Sequence, residues 1–175
     1  MEGEAVGAAE VLVSEEEDVC RLCFASDLPA FRGDWLNQID PETGLILLEE
    51  ISWQDLTERG FSVQRKTLYS EAEAIQFAEE RKEFRAQKGK VSEYILTGAL
   101  IACVRAVHEI KADEDGSQTF RVLQTPREGQ PGHAEIRIAD HIAQVRVSKD
   151  RMLKYRLELC NALGPLRPSS DIDSE

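Results

Sequence analysis

The chain has 175 residues, 42% apolar and 31% charged, with 33 acidic against 21 basic side chains and a net charge of −12. That length fits one domain with a core of its own, and no apolar run approaches the roughly 18 residues a membrane span needs. The acidic opening Met1-Glu2-Gly3-Glu4 lacks the cationic start of a secretory signal, so the protein is expected in the cytoplasm with no membrane partner.

The charge is unevenly spread. Residues 1–18 hold seven carboxylates and no base, residues 165–175 carry a net −2, and residues 19–164 are left nearly balanced at −3. Binding to phosphates through bulk charge is therefore disfavoured, and nucleic acid is an unpromising partner. Residues 1–17 read as an acidic disordered tail, 18–164 as a single α+β domain, and 165–175 as a polar, frayed tail.

In chain order, Val19 to Phe24 reads as a short strand. An irregular stretch with Pro29, Gly33 and the turn Pro41-Glu42-Thr43-Gly44 follows. Leu45 to Leu48 is a candidate buried strand, and Ser52 opens one or two helical turns over 53–59 that Gly60 stops. Phe61-Ser62-Val63 alternates like the start of a strand. Ser70 and Glu73 form a capping box for a helix over about 71–87, with Ala74, Ile75, Phe77 and Ala78 as its apolar face.

Leu96 to Ile110 is the most apolar stretch and reads as a central strand, although its glycine and alanines also suit a helix. The turn at Asp113 to Ser117 should join it to Thr119–Gln124 as an antiparallel hairpin. His133–Ile138 and Ile142–Val147 read as two further short strands. A second helix, capped by Ser148 and stopped by Gly164-Pro165, is expected over 149–163. Its buried stripe is placed at Leu153, Leu157 and Cys160, with Met152, Leu159 and Leu163 beside them. The fold class is α+β: a mainly antiparallel sheet of four to six short strands packed by these two helices.

Motifs that carry chemistry are incomplete. His133-Ala134-Glu135 matches the His-x-Glu of zinc-dependent deaminases, yet the Pro-Cys-x-x-Cys their metal also needs is missing downstream. Cys20-x-x-Cys23 is a single pair on a strand-like segment, where residues three apart face opposite ways, so packing thiols are expected. Cys103, within the apolar strand, is expected to be inert. His133, Glu135, Asp140 and His141 could hold one divalent ion if turn and strand brought them together. Arg81, Lys82, Arg85, Lys88 and Lys90 are interleaved with glutamates, which reads as a mixed solvated face. Trp35 and Trp53 are candidates for burial or for an interface anchor.

The order of elements resembles a loosely defined group of small bacterial proteins. The resemblance runs over 19–163 through Arg21-Leu22, Phe61-Ser62-Val63-Gln64-Arg65, Val104-Arg105-Ala106 and Pro131-Gly132-His133-Ala134-Glu135-Ile136. It implies no activity, but it singles out Arg21, Arg65 and His133 as candidate binding residues. The expectation drawn from all this is a non-enzymatic protein-interaction module of a bacterial operon, accessory, immunity or antitoxin-like, without cofactor. Its acidic ends suit a basic protein partner. The alternatives are a metal-assisted hydrolase on His133, Glu135, Asp140 and His141, and a nucleic-acid adaptor using Arg81, Lys82 and Arg85.

Overall fold

The structure is a computed structural model that describes residues 10–26, 36–89, 94–113 and 115–174. Trp35, Pro29, Gly33, Lys90 and the first nine residues of the expected acidic tail lie outside the described residues.

Six strands form one sheet: β1 Asp18–Ser26, β2 Leu36–Asn37, β3 Phe61–Arg65, β4 Tyr94–Cys103, β5 Phe120–Gln124 and β6 His133–Ile138. Every pairing is antiparallel, in the order β4-β1-β3-β6-β5, with β2 against the far end of β1. The helices are α1 Glu71–Gln87, α2 Val104–His108, α3 Asp140–Ala143 and α4 Lys149–Leu163. The α+β class and the two main helices agree with the sequence.

Several local readings are overturned. Only the foot of the expected hairpin forms: the Thr119 amide donates to the Ile110 carbonyl at 2.9 Å beside an antiparallel bridge of Lys111 with Gln118, and Phe120–Gln124 makes no ladder with the apolar stretch. β4 stops at Cys103, the chain turns into α2, and β5 pairs with β6 instead. Val104 and Val107 point into the core from this short helix, which accounts for the unbroken apolar run. Leu45 to Leu48 makes only a single bridge, Ile39 with Ile46, before a 3₁₀ turn at Leu48–Glu50. The segment after β6 is α3 and a turn, not a strand. The helical turns expected over 53–59 do form, as a π turn over Asp55–Arg59 that Gly60 stops.

The faces of the sheet follow from period-two alternation and the register. On one face Val19, Cys23, Phe61, Val63, Leu100, Ala134 and Ile136 pack into the main core with α2, α4 and residues 39–56. There α4 buries Tyr155, Leu159, Cys160 and Leu163, while Leu153 and Leu157 are exposed. Cys160, Leu159 and Leu163 lie inward as expected with Met152 half-buried beside them, and Tyr155 takes the place of Leu153 and Leu157, which shifts the stripe by about a quarter turn.

The other face splits in two. Its β4–β1 half carries Cys20, Leu22, Phe24, Ala99 and Ile101 under Ala74 and Ala78 of α1. The capping box of Ser70 with Glu73 forms as expected, but Ile75 faces solvent at 49% exposure. The C-terminal segment closes this small core. Residues 169–172 form a 3₁₀ turn that buries Ile172 beneath α1, and Asp173 accepts a hydrogen bond from the Glu71 amide at 3.0 Å. The expected frayed tail is an anchor.

The acidic end is also structured over its described part. Leu12 bridges to Leu123, Val13 is buried, and Glu10, Glu15, Glu16 and Glu17 pair with Arg121, His108, Arg105 and Arg65. These carboxylates serve the domain's own cations.

Candidate functional site

The β3–β6 half of the second face is polar. Gln64 stands opposite His133 and Ser62 opposite Glu135 in the register of the two strands. No helix covers these residues; the loop after β5 folds over them, with Arg127 and Gln130 bridged in a tight turn. Between this loop, the second half of α1 and the strands lies a cleft of about 280 Å³.

Two features of the chain create it. β1 and β3 pair only at Val19–Arg65 and Cys20–Gln64 and then part. Arg21 occupies the opening, donating from Nη1 to the Ser62 carbonyl at 2.8 Å with its guanidinium 4.5 Å from the Phe61 ring centroid. The second feature is the inward stripe of α1. It begins with Ala74 and Ala78, small enough for close approach to the sheet, and continues at the same helical spacing into Arg81 and Arg85.

The electrostatics of the cleft oppose those of the whole chain. Arg21, Arg81, Arg85 and Arg127 line it together with His133, and among the described residues no aspartate or glutamate does. Arg81 lies over Phe77 at 5.4 Å and Arg85 over Tyr94 at 4.9 Å, while Tyr94 stacks on Phe24 at 4.5 Å. Aromatic faces hold a guanidinium by its plane and leave the N–H edge free to bond. Among the described residues, no carboxylate lies within ion-pair distance of Arg21, Arg81 or Arg85. Burial pulls the pKa of Arg21 down from its ordinary value, with Arg81 acting in the same sense and Glu50 opposing. A guanidinium nonetheless stays charged at neutral pH.

Two buried polar atoms in the cleft wall have no hydrogen-bond partner: Nε2 of His133 and Oε1 of Gln64. His133 is only 2% exposed, and its Nδ1 donates to the Thr125 carbonyl at 2.9 Å. Burial holds its pKa below the ordinary value of 6.5. The ring is therefore neutral at pH 7 with its proton on Nδ1, and the unpartnered Nε2 is an acceptor.

Of the residues singled out in the sequence, Arg21 and His133 share this cleft, but Arg65 does not. Arg65 is a structural tie, donating to both carboxylate oxygens of Glu17 at 2.8 and 2.9 Å and to Gln124 at 3.2 Å. The bond from Arg65 and burial act in opposite directions on Glu17, and the net effect lowers its pKa below 4.5.

The four metal-capable residues do not converge. Glu135 is buried and takes Arg127 at 2.9 Å and Arg137 at 2.6 Å. Asp140 pairs with Arg121 at 2.7 Å, and His141 with Ser117 at 2.7 Å. No group of three metal-capable side chains forms among the described residues.

Glu135 fits because residue 60 is glycine. Gly60 has φ +83°, and a Cβ there would collide with the Glu135 carboxylate. The carboxylate in turn steadies Arg127 at the rim of the cleft.

Cys20 and Cys23 sit on opposite faces of β1, as the spacing requires. Burial pushes both thiols up to about 12, so neither is a nucleophile at neutral pH. Cys103, expected inside the strand, is exposed at its end.

Arg81 and Arg85 enter the sequence reading only as part of a nucleic-acid face, and Gln64 is not singled out there as a site residue. Spacing carried a signal for the first two, which continue the alanine stripe. Gln64 gave none, because its role depends on its partner across β3 and β6. Among the described residues, no helix is long and apolar enough to cross a membrane. A scan against protein-family models, a search of the curated proteins and a search of the solved structures each find no match.

Proposed function

We propose that this domain is a non-enzymatic recognition module whose ligand places an anionic group in the arginine cleft. The observation that carries this reading is a cavity lined, among the described residues, by four guanidiniums and no carboxylate in a chain of net charge −12. Like charges gathered in a partly enclosed space repel one another. Among the described residues Arg127 alone of the four has a carboxylate partner, Glu135; for Arg21, Arg81 and Arg85 a bound anion offsets that repulsion.

The reading revises the partner suggested by the acidic ends. Glu10, Glu15, Glu16 and Glu17 are engaged by the domain itself, so complementarity favours an acidic group entering the cleft over a basic protein on the tails. A polynucleotide adaptor receives less support, since Lys82 does not join Arg81 and Arg85 in the cavity. Binding without turnover accords with the inert thiols and the dispersed metal-capable residues.

Thermal unfolding at low ionic strength tests it, with inorganic phosphate, sulfate and citrate as probes against chloride at matched ionic strength. A hundredfold excess over Kd stabilises by about 2.7 kcal/mol, which for a chain of this size raises Tm by about 5–10 °C. Replacing Arg21 by Met or Arg81 by Gln should abolish the rise. No response to any of the three anions, or the same response in both variants, would refute the reading.

A further inference from the structure

We infer that the ligand is a small phosphate ester bearing free hydroxyl groups, a sugar phosphate or a nucleoside monophosphate. This rests on the anion-binding reading and adds the other half of the ligand.

Guanidiniums are donors only, so they ask for an anion and say nothing about what it is attached to. The neighbouring wall asks for the opposite chemistry. Nε2 of His133 and Oε1 of Gln64 are acceptors, both buried, both unpartnered, and they belong to residues directly opposite each other in the register. Each such group left unpaired is costly, and native proteins keep few of them. A bound molecule must therefore present hydrogen-bond donors to one side of the cleft and negative charge to the other.

Inorganic phosphate is too short a molecule to do both well, and a carboxylate-rich peptide side chain supplies charge without donors. Phosphate esters of polyols carry both groups a few bonds apart. The dianionic oxygens match the N–H groups that Arg81 and Arg85 carry while stacked on aromatic rings, and those Arg21 keeps beside the Nη1 bonded to the Ser62 carbonyl. Hydroxyls next to the ester match the two acceptors. The volume of about 280 Å³ lies at the lower edge of the range for ligand clefts, which fits one phosphorylated sugar better than an extended peptide.

Isothermal titration of the full chain decides the matter with four probes: inorganic phosphate, propyl phosphate, ribose 5-phosphate and adenosine 5′-monophosphate. Propyl phosphate keeps the charge and removes the hydroxyls. Ribose 5-phosphate, the nucleotide, or both should bind at least tenfold tighter than propyl phosphate. Tight binding of ribose 5-phosphate alone identifies free sugar phosphates, and tight binding of the nucleotide places a base in the cleft as well.

Gln64→Leu and, separately, His133→Phe should erase most of that preference while leaving the affinity for propyl phosphate unchanged. Gln64→Leu keeps the test decisive if the histidine variant fails to fold. Equal affinity for propyl phosphate and ribose 5-phosphate overturns the inference but leaves anion binding standing. A preference that survives both substitutions overturns it too. Failure of all four probes overturns both readings.

Discussion

The two halves of one sheet face solve the same problem in opposite ways. Over β4 and β1, small and apolar side chains let α1 approach closely, and Ile172 fills the remaining space. Over β3 and β6, the same face presents Ser62, Gln64, His133 and Glu135, and a loop carrying Arg127 replaces the helix. The boundary between them runs along a single helix, where the inward stripe changes from alanine to arginine. The first half is held by apolar packing, the second by a buried ion cluster beside an open polar cleft. Unsatisfied polar atoms on the second half are the physical mark of that division.

Breaking the buried ion cluster should give the largest effect. Glu135 is the enclosed member, at 4% side-chain exposure, whereas Arg137 and Arg127 reach solvent at 33% and 55%. Removing both arginines strands a buried carboxylate, so the double substitution Arg127→Met with Arg137→Met should cost about 3–5 kcal/mol in urea unfolding. Glu135→Gln frees two cations that can turn to water, and should cost only about 1–2 kcal/mol. A reversed order would show that the charge of the cluster is not what holds the loop.

The contrast between the halves sharpens with two substitutions to leucine. Ala74→Leu on the covered half forces α1 off the sheet and should cost about 1–3 kcal/mol. Gln64→Leu on the polar half removes an unpaired acceptor and should change stability by no more than about 0.5 kcal/mol in either direction. Ser70→Ala loosens the start of α1 and should cost about 1 kcal/mol.

The smallest effect is on pH dependence. The folded state holds His133 below 6.5, through burial and the nearby Arg127, against the Thr125 bond and Glu135. Its contribution is therefore fully present above pH 6.5 and is lost as pH falls towards the folded value, because the unfolded chain takes the proton more readily. Glu17, lowered below 4.5, adds a further loss under more acid conditions. Urea midpoints between pH 7 and 5 should fall, and less steeply in His133→Phe.

Elements with strong local signals were legible in the sequence: the capping box of α1, the serine cap of α4, and the alternation of β1, β3 and β6. What failed depended on distant partners. The apolar run after β4 satisfies a strand and a helix equally, and only the core it faces selects α2 over Val104–His108. Both ends look polar by composition, yet Val13 and Ile172 each insert one side chain into the folded domain. Arg21 and His133 are singled out as binding residues only by the resemblance, which offers Arg65 on the same footing although Arg65 ties Glu17 instead. The meeting of Arg21 and His133 in one cleft was not legible, because it requires β1 and β3 to part after two residue pairs.

The anchor at Ile172 has a consequence for biosynthesis. The seat of α1 is completed by residues about a hundred positions further along: Ser169 and Asp173 hold Glu71, and the Ser174 carbonyl holds Lys66. A nascent chain that has already made α1 must wait for these residues to leave the ribosome before the cleft wall can set. Until then the apolar side of β1 lies open to chaperones or to other chains.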